Sequence, residues 1–297
     1  MDLMEAVRAR HSVRNYTDRP IEGEVLKALE EEIAACNREA GLHIQLVRDE
    51  PRAFDSTLAH YGSFTGVRNY LAMIGPKDGD LMEAVRARHS VRSYTDRPIE
   101  GEVLKALEEE IAACNREGGL HIQLIRNEPR AFDSTLAHYG SFSGVENYLA
   151  MIGPKDGDLM EKCGYYGERI VLKAQMLGLN TCWVALTFKK IPDAYVVGPG
   201  EKLGIVIAIG YGEHEGKPRK SKTAEAVSNM TEDSPEWFRN GVEAALLAPT
   251  ATNQQKFSLQ RSGDTVSLKK GLGPYAGCDL GIVRYHFEIG AGTENFR

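Results

Sequence analysis

The chain is short of the features that most directly announce a chemistry. It holds only five cysteines, Cys36, Cys114, Cys163, Cys182 and Cys278. The number is odd, no CxxC occurs, and Cys36 and Cys114 are copies of one position, so neither a disulfide framework nor a zinc site is expected. Reduced thiols in a cytoplasm are the plain reading. Positive charge is not in excess: 36 Lys and Arg against 42 Asp and Glu leave a net −6, which favours neither nucleic acid nor an anionic membrane surface. The apolar run Ile205–Ile209 is far too short to span a bilayer. Met1 to Arg14 contain no continuous apolar core, so no secretory signal is expected there. Asp2, Glu5 and the recurrence of this stretch at 81–92 argue against a transit peptide. No HExxH, Walker loop, GxSxG or metal-spaced Cys/His cluster occurs, and His60 and His138 lack partners at ligand spacing.

What is present is an ordinary globular composition, 42% hydrophobic and 26% charged, part of which is written twice. Residues 3–80 recur as 81–158 with six differences: Asn15/Ser93, Ala40/Gly118, Val47/Ile125, Asp49/Asn127, Thr65/Ser143 and Arg68/Glu146. Asp-Leu-Met-Glu stands at 2–5, 80–83 and 158–161, so the unit boundaries fall on a shared sequence, as unequal exchange between two gene copies would leave them. Two long copies do not make a solenoid, which stacks three or more short repeats. Without one copy the chain has 219 residues, enough for one domain with a sizeable core.

Within the second copy, Asp80 could cap a short helix running to Arg88, with Leu81, Ala84 and Val85 inward. Val103, Leu104, Leu107, Ile111 and Cys114 recur at helical spacing and predict a helix from about Glu100 to Glu117, ended by Gly118-Gly119. Leu120–Ile125 alternates like a half-buried strand, and a second strand is expected near Tyr148–Ile152. Beyond the repeat, a helix is expected over Leu159–Leu177 and strands over Cys182–Leu186 and Leu203–Ile209. Ser234-Pro235-Glu236 reads as a helix start with Ser as cap. That helix carries Phe238, Val242 and Leu246 inward and stops at Pro249. Lys256–Gln260 and Thr265–Lys269 flank Ser262-Gly263-Asp264 as a hairpin, and a last helix spans about Cys278–Ile289. This order suggests an α+β sandwich.

Four stretches could carry chemistry. Arg88-His89-Ser90-Val91-Arg92, with its twin Arg10-His11-Ser12-Val13-Arg14, gathers two guanidinium groups, an imidazole and a hydroxyl where a helix ends. Such a group could clamp a phosphate, because the planar guanidinium donates paired hydrogen bonds. The alternative is a solvated helix end whose basic residues favour the negative pole of the dipole. The loop Ala248-Pro249-Thr250-Ala251-Thr252-Asn253-Gln254-Gln255-Lys256-Phe257 offers amides and hydroxyls that could read a flat heterocycle, or could simply form a capped turn. Lys217-Pro218-Arg219-Lys220-Ser221-Lys222 follows a strand and Gly210-Tyr211-Gly212; it could add to an anion site or be a solvated loop. Gly178-Leu179-Asn180-Thr181-Cys182-Trp183 begins with a helix-ending glycine, while Thr181 and Trp183 could line a cleft. Electron transfer through a bound cofactor suits this inventory, because the cofactor carries the reaction and the protein positions it.

Taken together, these stretches resemble the FMN-dependent nitroreductase superfamily. RHSVRSYTDRPI is similar to its opening R-[RH]-S-x-[RK]-x-[FY] signature, and APTATNQQKF to its AP[ST]xxNxQPW loop. GLNTCWV resembles its GLG[ST]xW segment, and IAIGYGEHEGKPRK its closing strand and basic tail. The likeness covers essentially 80–297. Two departures stand out. The AP…NxQ loop comes near the C-terminus instead of soon after the first helices, and Lys256 stands where proline is usual. That order resembles a divergent branch whose single chain contains two related halves.

The resemblance implies a sandwich with a mixed, mostly antiparallel central sheet flanked by helices, binding FMN. It implies that Arg88, His89 and Ser90 hold the FMN phosphate and ribityl chain, assisted by Lys217 and Arg219, with Arg92 at the flavin N1/O2 edge. Thr250, Asn253 and Gln255 would contact the isoalloxazine or ribityl chain, and Arg10, His11, Ser12 and Arg14 would be the duplicate clamp. It further implies a ping-pong oxidoreductase in which NAD(P)H reduces the flavin and the flavin reduces a small-molecule acceptor such as a nitroaromatic or quinone. No side chain is then an obligatory acid or base, and no metal is required. Other readings are a flavin-binding or storage protein without turnover, and a domain-swapped interaction protein with a decayed site. Looping out the second copy would cost roughly 2 kcal/mol more than using it. Residues 81–297 are therefore expected to form the FMN domain, with 1–80 an appended or swapped segment. Neither a nucleic acid nor a membrane partner is expected, and a homodimer or a segment-swapped oligomer is left open.

Overall fold

The computed structural model describes residues 3–40, 43–55, 63–74, 81–135 and 139–292. Asp80, His60 and His138 lie outside the described residues. The chain divides into two units, Met1–Gly79 and Asp80–Arg297.

The first unit contains helices α1 (Leu3–Ala9) and α2 (Gly23–Ala40) and strands β1 (His43–Val47) and β2 (Tyr70–Ile74). The strands pair antiparallel, His43 opposite Ile74 and Val47 opposite Tyr70. Asn37 on α2 ties itself to β1 through both backbone groups of Ile44, at 3.0 and 2.6 Å.

The second unit opens with α3 (Leu81–Ala87), α4 (Gly101–Gly118), β3 (Gln123–Ile125) and β4 (Tyr148–Pro154). It continues with α5 (Leu159–Met176), β5 (Asn180–Val184), β6 (Glu201–Gly210), α6 (Ala224–Val227), α7 (Glu236–Leu246), β7 (Phe257–Ser262), β8 (Thr265–Lys270) and α8 (Ala276–Ala291). Strands β3, β4, β6 and β5 form one antiparallel sheet in that order, and β7 and β8 form a separate hairpin. A parallel bridge, Ser90 with Thr181, adds to the sheet margin.

Strand periodicity explains why β4 and β6 read as unbroken apolar runs. Leu149, Met151, Ile205, Ile207 and Ile209 project into a core shared with residues of α4, α5, α7 and α8. The alternate residues Tyr148, Ala150, Ile152, Val206 and Ala208 project into a second core with Phe132, Phe142, Phe188 and Ile191. Both faces are covered, so no polar alternation survives. The expected α+β organisation is present, with helices on one face and loops on the other.

Three boundaries differ from expectation. The ladder of β3 begins at Gln123 instead of Leu120; before it, His121 N donates to Ile152 O at 2.8 Å, and both backbone groups of Ile122 bond to the Asn115 side chain, at 2.7 and 3.0 Å. Strand β5 spans 180–184 instead of 182–186. Gly178, at φ +77°, turns the chain straight into pairing with β6, and Leu186 ends up exposed. Ser234 does not cap α7: its Oγ accepts from Thr231 N at 2.9 Å, and Pro235 occupies the cap position.

The two copies of the repeat differ in burial despite their shared sequence. Val91 is 0% exposed where Val13 is 55%, and Tyr94 is 5% where Tyr16 is 49%. In the second unit, Val91 N donates to Thr181 O at 3.1 Å and Tyr94 packs in the core beneath β6. Among the described residues of the first unit, the sheet ends at β2 and no strand takes the place of β5 or β6. Val91→Ala should therefore cost about 2 kcal/mol, and Val13→Ala less than about 0.5 kcal/mol. Urea unfolding followed through the two tryptophans, both in the second unit, measures this difference.

Candidate functional site

The last turn of α3 delivers Arg88 to the point where the chain turns along the edge of β5. Ser90 bridges Thr181, Thr95 N donates to Tyr211 O at 2.8 Å, and Glu213 N donates to Ser93 O at 3.0 Å. The RHSVR strip is thus laid against the residues that follow β6. Gly216, at φ +80°, completes the contact. A Cβ there would lie 2.6 Å from His89 Cβ, so only glycine lets this segment come so close.

That approach gathers positive charge. Arg88 is 4% exposed, and its buried Nε has no hydrogen-bond partner. Arg219 is lowered from the ordinary arginine value, first by burial and then by the Arg88 charge. His89 is lowered by burial, then by Arg88 and Arg219. The imidazole is therefore neutral at pH 7. One carboxylate, Glu168, faces this group, with Oε1 3.6 Å from Arg88 Nε. Lys217 and Arg92 are exposed, and the Arg92 guanidinium carbon lies 5.9 Å from the centroid of the Phe142 ring.

The loop after α7 is bound to the same basic segment. Arg219 Nη1 donates to Asn253 Oδ1 at 2.7 Å, and Nη2 donates to Leu246 O at 3.2 Å and to Ala248 O. Asn253 Nδ2 and Gln255 Nε2 donate to Lys220 O at 2.9 and 3.0 Å, while Gln255 Oε1 accepts from Lys222 N at 2.8 Å. Thr250 Oγ1 accepts from Gln255 N at 3.0 Å. Thr252, Asn253 and Gln255 all have positive φ, between 45° and 56°, and these bonds hold Asn253 and Gln255 there. Arg88, His89 and Arg219 are brought together, and Asn253 and Gln255 join them through Arg219 and Lys220. The amides of Asn253 and Gln255 are engaged within the protein. Arg10, His11, Ser12 and Arg14 are exposed in the first unit.

Sequence reasoning missed Glu168, His286 and Asp279. Asp279, 5% exposed at the start of α8, accepts from Ala251 N at 2.9 Å and from Gln254 Nε2 at 2.7 Å, and so anchors the loop from beneath. Burial pushes its carboxyl up. The available signal for Glu168 and His286 was a charged residue set among apolar helix positions, Gly164–Glu168–Val171 on α5 and Ile282–His286–Ile289 on α8. Trp183 does not simply line a cleft: its Nε1–H donates to Glu168 Oε2 at 2.9 Å.

Four of the five cysteines are placed as inert core residues. Burial pushes Cys114 and Cys163 up to about 12 and raises Cys182 and Cys278 as well. Cys36 alone is not fully buried. An aromatic disulfide reagent at pH 8 should accordingly modify one thiol per native chain quickly. Cys36→Ser should abolish that fast phase, and a fast phase persisting in the variant would contradict the placement.

Comparison with known proteins matches this architecture. The sequence matches the family described as "Putative TM nitroreductase" over residues 2–83 and again over 80–291. No curated protein matches it. Among solved structures, it is similar to a nitroreductase of Thermotoga maritima, with 23% identity, a TM-score of 0.52, and coverage of 73% of this chain and 86% of that one. A nitroreductase of Desulfovibrio desulfuricans in complex with FMN is 19% identical, with a TM-score of 0.41 and coverage of 54% and 100%. A nitroreductase of Bacteroides fragilis with bound FMN is 22% identical, with a TM-score of 0.37 and coverage of 49% and 94%. The family match spans nearly the whole chain and takes in the repeated segment twice, and the chain therefore belongs to this nitroreductase family.

Proposed function

We propose that the chain is an FMN-dependent oxidoreductase that uses NAD(P)H to reduce a nitroaromatic, quinone or similar small acceptor, the two substrates reacting in turn in a ping-pong cycle. The observation that carries this reading is the surplus of buried cation. Arg88 and half-buried Arg219 stand close enough to depress Arg219, Glu168 is the one carboxylate paired with Arg88 among the described residues, and Arg88 Nε is buried without a hydrogen-bond partner. Buried charge of one sign with unused donors calls for a bound anion, and a phosphate monoester supplies near-dianionic charge and several acceptors. The residues present therefore fit the phosphate of FMN. Membership of the nitroreductase family supports the same cofactor.

In this reading Arg88, His89 and Ser90, assisted by Lys217 and Arg219, hold the phosphate and ribityl chain. His89 contributes a ring N–H to that hold. Exposed Arg92 serves the N1/O2 edge of the ring, where a cation favours a negatively charged reduced flavin. Asn253, Gln255 and Thr250 form the wall of the site, rigid because their side chains are tied to Lys220, Lys222 and the loop itself. Bound FMN would supply the two-electron chemistry. The chain's contribution is to bind, orient and shield it. Arg10, His11, Ser12 and Arg14 are exposed, and among the described residues of the first unit no counterpart of β5 or β6 stands beside them.

Purified protein supplied with FMN should retain one flavin per chain, and its visible absorption should bleach on anaerobic addition of NADH or NADPH. Protein that takes up no FMN would refute the reading. Bound flavin that neither nucleotide reduces would make the chain a flavin-binding protein without turnover. Two flavins per chain would show that both clamps work.

A further inference from the structure

Helices α5 and α8 cross with their backbones in contact. A Cβ on Gly164 would lie 2.0 Å from Cys278 O, and one on Gly281 would lie 2.0 Å from Glu161 O. This approach places Glu168 of α5 opposite His286 of α8, both 0% exposed. Glu168 Oε1 is 2.8 Å from His286 Nε2 and 3.6 Å from Arg88 Nε, while Oε2 accepts from Trp183 Nε1 at 2.9 Å. His286 Nδ1 lies 3.1 Å from Ala244 O, so the ring is held at both nitrogens. The group is an imidazole and a guanidinium facing one carboxylate, with Glu168 and His286 fully buried.

Nothing in the proposed flavin chemistry uses this group. Its connection to the site is Arg88. A guanidinium that is 4% exposed needs a fixed counter-charge, or it swings out to solvent. At 3.6 Å, Glu168 supplies that charge without taking a hydrogen bond from Nε. We propose that Glu168, pinned by His286 and Trp183, is a positioning residue that holds Arg88 in the interior so that its donors are set for the phosphate. The proposal rests on the reading of Arg88 as part of the FMN phosphate site.

The alternative role for Glu168 predicts the opposite sign. If the carboxylate merely tempered the positive field, removing it would tighten FMN binding. If it positions Arg88, removing it releases the guanidinium and weakens FMN binding. Riboflavin, which lacks the phosphate, separates both effects from damage to the fold.

The experiment is a titration of the flavin-free full chain with FMN and with riboflavin, followed by quenching of flavin fluorescence. Arg88→Ala should lower the preference for FMN over riboflavin. If it does not, the phosphate reading fails and the proposal falls with it. Where Arg88→Ala does lower the preference, Glu168→Gln should weaken FMN roughly tenfold or more. It should leave riboflavin unchanged and cause no further loss in the Arg88→Ala background. Unchanged or tighter FMN binding in Glu168→Gln would overturn the proposal while leaving the phosphate reading intact. Equal weakening of both flavins would assign Glu168 a purely structural role and overturn it as well. Should Glu168→Gln not fold, Trp183→Phe removes a single hydrogen bond to Oε2. That variant should weaken FMN about threefold, with riboflavin unaffected, and unchanged FMN binding in it would also overturn the proposal.

Discussion

The contact between α5 and α8 is the constraint on which the rest of the second unit hangs. Gly164 and Gly281 each face a carbonyl oxygen of the other helix at a distance no Cβ could occupy, so the helices meet backbone to backbone. Gly241 and Gly290 do the same between α7 and α8, against the Phe287 ring and Asn240 O. With three helices drawn this tightly together, the polar residues on their inner faces have no route to water and must bond to one another. Glu168, His286 and Ala244 O form one such set, and Asp279 with the Ala251–Gln254 loop forms another. Tight packing of small residues therefore orders two polar networks on which the candidate site leans.

The site itself is a meeting of two segments far apart in the chain. One is the strip after α3; the other is the basic stretch after β6, closed by the loop after α7. Asn253 and Gln255 sit at positive φ, which L-residues resist, and the bonds from Arg219, Lys220 and Lys222 hold them there. Arg219 links the two parts. It caps the carbonyls of Leu246 and Ala248 at the end of α7, where a cation also favours the helix dipole, while sharing its charge with the Arg88 and His89 group.

The repeat shows how much of a structure lies outside a sequence. The RHSVR clamp is written identically at 10–14 and 88–92, yet Val13 and Tyr16 are exposed while Val91 and Tyr94 are buried. Features made within the copy recur in both: the Asn37 and Asn115 bonds to the following strand, and the Glu50–Arg52 and Glu128–Arg130 pairs. Features that need β5 and β6 occur only in the second. Local chemistry travels with the residues, and burial depends on the neighbours.

By itself the sequence determined the α+β order and most helices and strands, because apolar spacing and helix-ending glycines are local signals that need no partner; the short α6, Ala224–Val227, carries no such signal. It also marked Arg88, His89, Arg219, Asn253 and Gln255 as polar groups worth weighing. Tertiary structure decided the strand start at Asn180, which depends on where pairing with β6 claims the backbone. It also decided that Asn253 and Gln255 bond inward, and that Glu168 and His286 stand behind Arg88. Two residues 118 positions apart leave no shared local pattern. Their pairing arises because two glycine-faced helices pack closely enough to exclude water from a carboxylate and an imidazole that then bond to each other.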